Sequence, residues 1–177
     1  YKPDPEFKKS IPFDSFITIR PENLKASYVP DQAKSIVPEL IDLLIKKGHN
    51  ILYLPRYKGD HKYISEHKQI YVPDAPLNGL DVCYYSDAVL TGAGTFAREA
   101  AILGTPAISF FAGKKLLSVD ASMIQSNMMH HSRNINEIMM ILENSKKGKP
   151  RFEESKRVQS EVISLLEEII LKKNKIQ

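Results

Sequence analysis

Residues 87–111 of this chain read DAVLTGAGTFAREAAILGTPAISFF. An apolar run up to Thr91 ends in a turn of small residues, and a helical stretch of about two and a half turns follows. Gly104 and Pro106 are typical of a helix end, and a second apolar run begins directly after them. The segment therefore predicts a strand, a turn, a helix and a second strand in succession, which is the repeating unit of an α/β fold.

The turn between the first strand and the helix carries the chemistry of this segment. Gly92 and Gly94 have no side chains, so an anionic group can reach the backbone amides that open the helix, where the helix dipole favours negative charge. Glu99 follows about one turn into the helix. Because a carboxylate repels phosphate, a neutral diol such as a ribose suits Glu99 better. A glycine turn that only reverses the chain is the alternative, since Gly-x-Gly alone is a weak motif.

The segment from Leu90 to Pro106 resembles the nucleotide-binding segment of the UDP-N-acetylglucosamine 2-epimerases and of their relatives, the GT-B glycosyltransferases. In that superfamily, loop amides hold the diphosphate of a sugar nucleotide, and a glutamate in the helix holds the ribose hydroxyls. The resemblance implies a ribose-binding role for Glu99. It implies that the diphosphate-binding loop consists of Gly92, Ala93, Gly94 and Thr95.

The run from Gly94 to Pro106 is also similar to a mostly archaeal family known only as a domain of unknown function. Members of that family carry the pattern Gly-Thr-x-x-Arg-Glu-Ala-Ala-x-Leu-Gly-Thr-Pro. The similarity extends from about Phe16 to Leu142. It is specific for the fold and much less specific for the reaction.

Further candidates lie outside this segment. Residues 16–23 look like the first strand and loop of the epimerase carboxy-terminal domain, where an arginine faces the phosphates, so the resemblance implies a phosphate role for Arg20. The epimerases usually have a histidine before this arginine, and Ile19 stands there instead. Arg56 stands where they have a histidine near the substrate; a solvated arginine is the alternative. Lys114 follows a predicted strand at the ligand-binding rim of the sheet, and a surface role is its alternative.

Strands and helices alternate along most of the chain. Strands are predicted at residues 16–19, 51–54, 69–72, 88–91, 107–111 and 128–130, and helices at 31–47, 80–85, 95–103, 116–125 and 135–143. This order predicts a doubly wound parallel sheet that is covered by helices on both faces. The resemblance implies that this sheet and its helices form the Rossmann-like carboxy-terminal half of a GT-B protein.

The pattern predicts three regions: an irregular N-terminal segment (1–15), a Rossmann-like domain (16–145) and a basic amphipathic C-terminal helix (146–177). The resemblance implies that the domain at 16–145 binds a nucleotide sugar. The long helix carries an apolar stripe that requires an apolar cover. The stripe consists of Val158, Val162, Leu165, Leu166, Ile169 and Ile170. In GT-B proteins the terminal helix commonly crosses to the amino-terminal domain, and we expect the same here. Packing on its own sheet and homodimerisation are the alternatives.

The chain begins with Tyr1 rather than Met and holds only the second half of the GT-B pattern. We therefore expect a fragment that lacks the N-terminal GT-B domain. Because GT-B active sites lie in a cleft between two domains, nucleotide binding is expected to survive in such a fragment and turnover is not. The catalytic residues stay unassigned.

Composition argues against several classes of partner and cofactor. The formal net charge is +4, but residues 1–145 hold 16 basic and 16 acidic residues, whereas residues 146–177 hold 9 and 5. A basic face for nucleic acid is therefore not indicated, and no apolar run is long enough to span a membrane. The single cysteine, Cys83, fits a reducing cytoplasm. The histidines show no metal-ligand spacing. The resemblance implies neither a metal nor a cofactor, because GT-B proteins generally hold diphosphate with amides and basic side chains.

The residues and the resemblance together predict the UDP-sugar-binding half of a GT-B glycosyltransferase. A sugar-nucleotide epimerase is the first alternative. Epimerisation needs acid–base groups on both faces of the sugar, and the two matching histidine positions hold Ile19 and Arg56, which favours transfer. The second alternative is a non-catalytic module of the same fold that binds a partner chain through its terminal helix.

Overall fold

The computed structural model of the chain describes residues 1–174, in which six strands alternate with six α-helices. The strands are β1 (Ile17–Arg20), β2 (Ile51–Tyr53), β3 (Ile70–Tyr71), β4 (Ala88–Thr91), β5 (Ala107–Ser109) and β6 (His130–His131). The α-helices are α1 (Val37–Lys46), α2 (Gly79–Tyr85), α3 (Gly94–Ile102), α4 (Ser118–Gln125), α5 (Ile135–Asn144) and α6 (Phe152–Asn174). Short 3-10 helices lie at Pro5–Ser10 and Lys58–Tyr63.

All six strands are parallel, in the order β3-β2-β1-β4-β5-β6. The strand order reverses between β1 and β4, where Arg20 pairs with Thr91 at the carboxyl ends. Doubly wound sheets bind ligands in the crevice at such a reversal. The predicted fold class, a Rossmann-like parallel sheet with a long terminal helix, is confirmed.

Each face of the sheet buries its own apolar layer, because strands between two layers of helices are covered on both sides. On β4, Val89 packs in the cluster that includes α2 and α3, whereas Ala88 and Leu90 pack in the cluster that includes α1 and α5. The apolar stripe of α1 lies in the second cluster. Its fully buried members are Val37, Leu40, Ile41 and Leu44.

Helix α1 begins six residues later than predicted, at Val37 instead of residue 31. Pro38 has no N–H group, so it cannot donate to the carbonyl of Lys34 as a longer helix would require. That carbonyl accepts a hydrogen bond from Nη2 of Arg133 at 2.6 Å instead. The other elements predicted within residues 16–145 agree with the structure to within two residues at each end. Helix α6 begins at Phe152 rather than at residue 146, and residues 175–177 of the predicted C-terminal helix lie outside the described residues.

A buried carboxylate connects the loop after β1 to its neighbours. The side chain of Glu22 is 1% exposed and pairs with Nη1 of Arg133 at 3.1 Å. It also accepts hydrogen bonds from Oγ of Ser35 at 2.7 Å and from the N–H of Ile36 at 3.2 Å. Arg133 donates in addition to the carbonyl of Phe110 at 2.7 Å. These contacts join the loop after β1, the start of α1 and the end of β5.

Gly92 lies where the loop after β4 packs directly against the loop after β1. A Cβ atom at Gly92 would lie 2.5 Å from Cα of Glu22 and 2.8 Å from its backbone nitrogen. These are backbone atoms, which cannot rotate away as the end of a flexible side chain can. The close approach of two loops therefore requires glycine here, whether or not a ligand is bound.

Helix α6 leaves the domain with its apolar stripe uncovered. The predicted stripe residues, Val158 to Ile170, are between 46% and 61% exposed. At the start of the helix, the Phe152 ring lies 6.2 Å from the Tyr1 ring and 6.4 Å from the Tyr84 ring, measured between centroids. The stripe does not pack on its own sheet. Among residues 1–174, no helix has the length and apolar content needed to cross a membrane.

We expect Gly92→Ala to lower the free energy of unfolding by about 2 kcal/mol or more, because the added methyl group must separate two loop backbones. Gly59→Ala is the matched control, since a Cβ atom there meets no described atom within 4 Å. Its effect should stay within about 0.5 kcal/mol. Urea denaturation followed by circular dichroism measures both. Equal stability of the two variants would contradict the close-approach argument.

Candidate functional site

A cavity of about 680 Å³ opens at the carboxyl ends of the central strands. It brings together most of the residues that the sequence singled out, namely Arg20, Arg56, Gly92, Ala93, Gly94, Thr95 and Glu99. Within the described residues, Lys114 does not line this cavity, whereas Lys115 does. The cavity wall also includes residues that were not selected as candidates: Tyr28, Phe96, Arg98, Phe111 and Asp120.

The loop between β4 and α3 presents the open end of helix α3 to the cavity. Helix α3 begins at Gly94, and its N-cap residue, Ala93, provides no side-chain cap for the first turn. The N–H of Ala93 donates to Oγ1 of Thr91 at 2.9 Å, which holds the loop against the strand end. The first amides of a helix have no intrahelical acceptors and form the positive end of the helix dipole. This end of α3 therefore favours a bound anion.

Two guanidinium groups line the same cavity. Arg20 is half-buried, and its Cζ atom lies 5.6 Å from the centroid of the Phe96 ring. Burial lowers the pKa of Arg20, and the positive charge of nearby Arg56 adds to this effect, because both disfavour the charged form. Arg56 is oriented by a hydrogen bond from its Nε to the carbonyl of Pro21 at 3.0 Å. In residues 1–174, no carboxylate forms a salt bridge with Arg20, so its charge is available to an anionic ligand.

Glu99 is half-buried in the wall of the cavity, on helix α3. Burial raises the pKa of Glu99 above its usual value of 4.5, while the positive charges of Arg98 and Arg20 act in the opposite direction. Among the described residues, no donor forms a hydrogen bond with its carboxylate. Its oxygens can therefore accept hydrogen bonds from a ligand.

An ion pair between α3 and α4 forms a second feature of the cavity wall. Nη1 of Arg98 lies 2.5 Å from Oδ1 of Asp120, whose side chain is 3% exposed. Nη2 of Arg98 donates a hydrogen bond to Oγ1 of Thr95 at 3.0 Å. A Cβ atom at Gly94 would lie 3.0 Å from Oδ2 of Asp120. Arg98 belongs to the pattern from Gly94 to Pro106, but sequence reasoning missed its pairing with Asp120 because the contact depends on how the two helices pack.

The remaining chemistry-bearing side chains do not converge. Across residues 1–174, no group of three or more histidine, cysteine or acidic side chains could hold a metal ion. His131 lies on the edge strand β6, and its buried Nδ1 atom has no hydrogen-bond partner among the described residues. Burial lowers the pKa of the His131 imidazole. Burial also raises the pKa of the Cys83 thiol, with a smaller contribution from Glu99. Cys83 is therefore a structural thiol rather than a nucleophile.

Comparison with known proteins places the chain in a family. Residues 7–172 match the family described as "Protein of unknown function (DUF354)". The chain belongs to this family. A curated relative, "Uncharacterized protein MJ0665" of Methanocaldococcus jannaschii, is 34% identical over 113 residues, which cover 63% of this chain and 33% of the relative. The DUF354 chain thus spans about a third of the length of this curated relative.

Solved structures show the same fold. The UDP-GlcNAc 2-epimerase of Methanocaldococcus jannaschii, solved in complex with UDP-GlcNAc and UDP, matches 80% of the DUF354 chain and 41% of its own, with a TM-score of 0.60 at 16% identity. CalG4, the calicheamicin glycosyltransferase, matches 93% of the chain and 40% of its own, with a TM-score of 0.51 at 14% identity. At these identities the comparison establishes the fold, which is that of the Rossmann-like half of GT-B proteins.

The electrostatics of the cavity predict a measurable titration. Glu99 should titrate above 4.5, and Arg20→Gln should raise its pKa further, because the Arg20 charge favours the carboxylate. NMR of the Glu side-chain carboxyl carbons measures both values. Arg157→Gln is the control, since Arg157 lies on exposed α6 and pairs with Glu161. A Glu99 pKa at or below 4.5, or one that Arg20→Gln leaves unchanged, would contradict this description of the site.

Proposed function

We propose that this chain is the nucleotide-sugar-binding half of a GT-B-type glycosyltransferase, and that its ligand is a UDP-sugar. The observation that carries the proposal is the convergence of Arg20, the first amides of helix α3 and Glu99 in one cavity at the strand-order reversal. An uncapped helix end and an unpaired guanidinium suit a diphosphate. A carboxylate without a donor suits the two hydroxyls of a ribose.

Each group has a separate role in this proposal. The amides of the first turn of α3 and the Arg20 guanidinium hold the diphosphate. They also neutralise the negative charge that develops on the diphosphate when its bond to the sugar breaks. Glu99 accepts hydrogen bonds from the ribose and so fixes the position of the nucleotide along α3. Arg56, beside Arg20, supplies a second positive charge to the cleft. The sugar would react at the open side of the cavity, with residues of another part of the protein.

The structure favours transfer over epimerisation as the reaction to propose. Ile19, at one of the two positions where epimerases have a histidine, is completely buried and packs in the core. No acid–base group therefore faces the ligand from that position. Arg56, at the other position, is a poor proton carrier because a guanidinium does not deprotonate in proteins. The epimerase neighbour was solved with UDP-GlcNAc and UDP, which supports the ligand class, and the other neighbour is a glycosyltransferase, which supports the reaction class.

Calorimetric titration with UDP, GDP, ADP and UDP-N-acetylglucosamine tests this proposal. We expect saturable binding of the uridine ligands, weakened about 10- to 100-fold by Arg20→Gln and by Glu99→Ala, because each removes a charge-assisted hydrogen bond. The matched controls are Arg157→Gln and Glu143→Ala, which alter exposed charges far from the cavity. Binding of UDP that survives both cavity variants would contradict the assigned roles.

Two other outcomes would redirect the functional assignment. Interconversion of UDP-N-acetylglucosamine and UDP-N-acetylmannosamine by a longer form of the protein would replace transfer with epimerisation. Absence of any nucleotide binding would favour the partner-binding module, because the exposed stripe of α6 is the feature of the described residues that such a module would use. In that case, removal of residues 150–177 should abolish association with the partner.

A further inference from the structure

Two aromatic side chains from different loops meet at the rim of the cavity. The rings of Tyr28 and Phe111 lie 5.4 Å apart between centroids, with an angle of 34° between their planes. Both residues line the cavity, and Tyr28 is 56% exposed. Among the described residues, the Tyr28 hydroxyl has no hydrogen-bond partner. An exposed aromatic surface beside polar groups is a common feature of ligand sites.

The backbone of the loop after β5 supports this pair from behind. A Cβ atom at Gly113 would lie 2.3 Å from Cε1 of Phe111, so the ring lies directly against the glycine backbone. The N–H of Phe111 also donates to Oγ of Ser109, the last residue of β5, at 3.3 Å. The Phe111 ring is therefore held in place by the end of the sheet, and Tyr28 packs on it from the loop after β1.

The order of the elements places the aromatic pair at a defined end of the cavity. Glu99 also lines a neighbouring cavity together with Leu80 of α2, so it lies on the side of α3 that faces α2. Phe111 and Lys115 follow β5, on the side where α4 packs against α3. The loop after β4 lies between these two ends, because β4 lies between β1 and β5.

The order of these elements determines the direction in which a bound nucleotide sugar would extend. This inference rests on the proposed function. When Glu99 holds the ribose and residues 92–95 hold the diphosphate, the group beyond the second phosphate extends toward β5. We propose that Tyr28 and Phe111 form the subsite for the sugar ring, which stacks its C–H face on the aromatic pair. The Tyr28 hydroxyl and the Lys115 ammonium supply hydrogen bonds to the sugar hydroxyls.

The test compares nucleotides with and without the sugar. UDP, UDP-glucose, UDP-galactose and UDP-N-acetylglucosamine are titrated into the wild type and into Tyr28→Ala. We expect Tyr28→Ala to leave UDP affinity unchanged and to weaken the preferred UDP-sugar about 3- to 10-fold, as expected for the loss of one aromatic stacking contact. Tyr28→Trp should retain the sugar-dependent affinity. Met140→Ala, at an exposed side chain of α5, is the control.

The outcomes separate this inference from the proposed function. If Tyr28→Ala weakened the affinity for UDP and for UDP-sugar equally, the aromatic pair would stack on the base, and the sugar subsite would be overturned. Unchanged affinity for both ligands would also overturn it. A wild type that binds UDP but gains no affinity from any of the three sugars would also overturn it while the nucleotide site stands. A wild type that binds none of the ligands would overturn both.

A fluorescence measurement gives an independent test, because the chain contains no tryptophan. In Tyr28→Trp, the single indole would report contact at the rim of the cavity. We expect UDP-sugar to change its emission and UDP alone to leave it unchanged. Met140→Trp should respond to neither ligand. An emission change of the same size with UDP and with UDP-sugar would contradict the subsite.

Discussion

The loops that build the cavity are held together by one buried carboxylate. Glu22 binds the start of α1 and pairs with Arg133, which also binds the end of β5, so the loop after β1 is fixed to both elements. The backbone of Glu22 packs so closely against Gly92 that a side-chain methyl group at position 92 would not fit. Because Arg20 lies two residues before this carboxylate, the same contacts fix Arg20 relative to the open end of α3. The proposed anion-binding arrangement depends on this geometry.

The cavity separates its charges along the direction of α3. Arg20 lies against the ring of Phe96 in the first turn of α3, whereas Glu99 supplies an acceptor further along the helix. The carboxylate of Asp120 is compensated by Arg98, so it contributes less repulsion to a bound anion than a free carboxylate would. A ligand with an anionic group and a neutral diol at a fixed separation suits this pattern better than a bare polyphosphate. A nucleotide sugar has both groups, and we propose it as the ligand for this reason.

Local sequence patterns predicted the elements well, because apolar runs, glycines and prolines act within a few residues. The segment 87–111 folds as expected, with small shifts at its ends. The predicted start of α1 was wrong because Pro38 cannot donate within a longer helix, and the freed carbonyl of Lys34 binds Arg133, which is distant in sequence. The same limit applies to the Arg98–Asp120 pair, whose contact arises from helix packing. The binding roles of the cavity residues stay predictions, since residue types show what a site can bind and not what it does bind.

A crystal structure of this chain with UDP would test the central claim most directly. The account predicts that the diphosphate lies within hydrogen-bond distance of the first amides of α3 and of the Arg20 guanidinium, with both ribose hydroxyls on the carboxylate of Glu99. A nucleotide bound elsewhere, or one bound in the cavity with its phosphates away from Arg20 and residues 92–95, would contradict it.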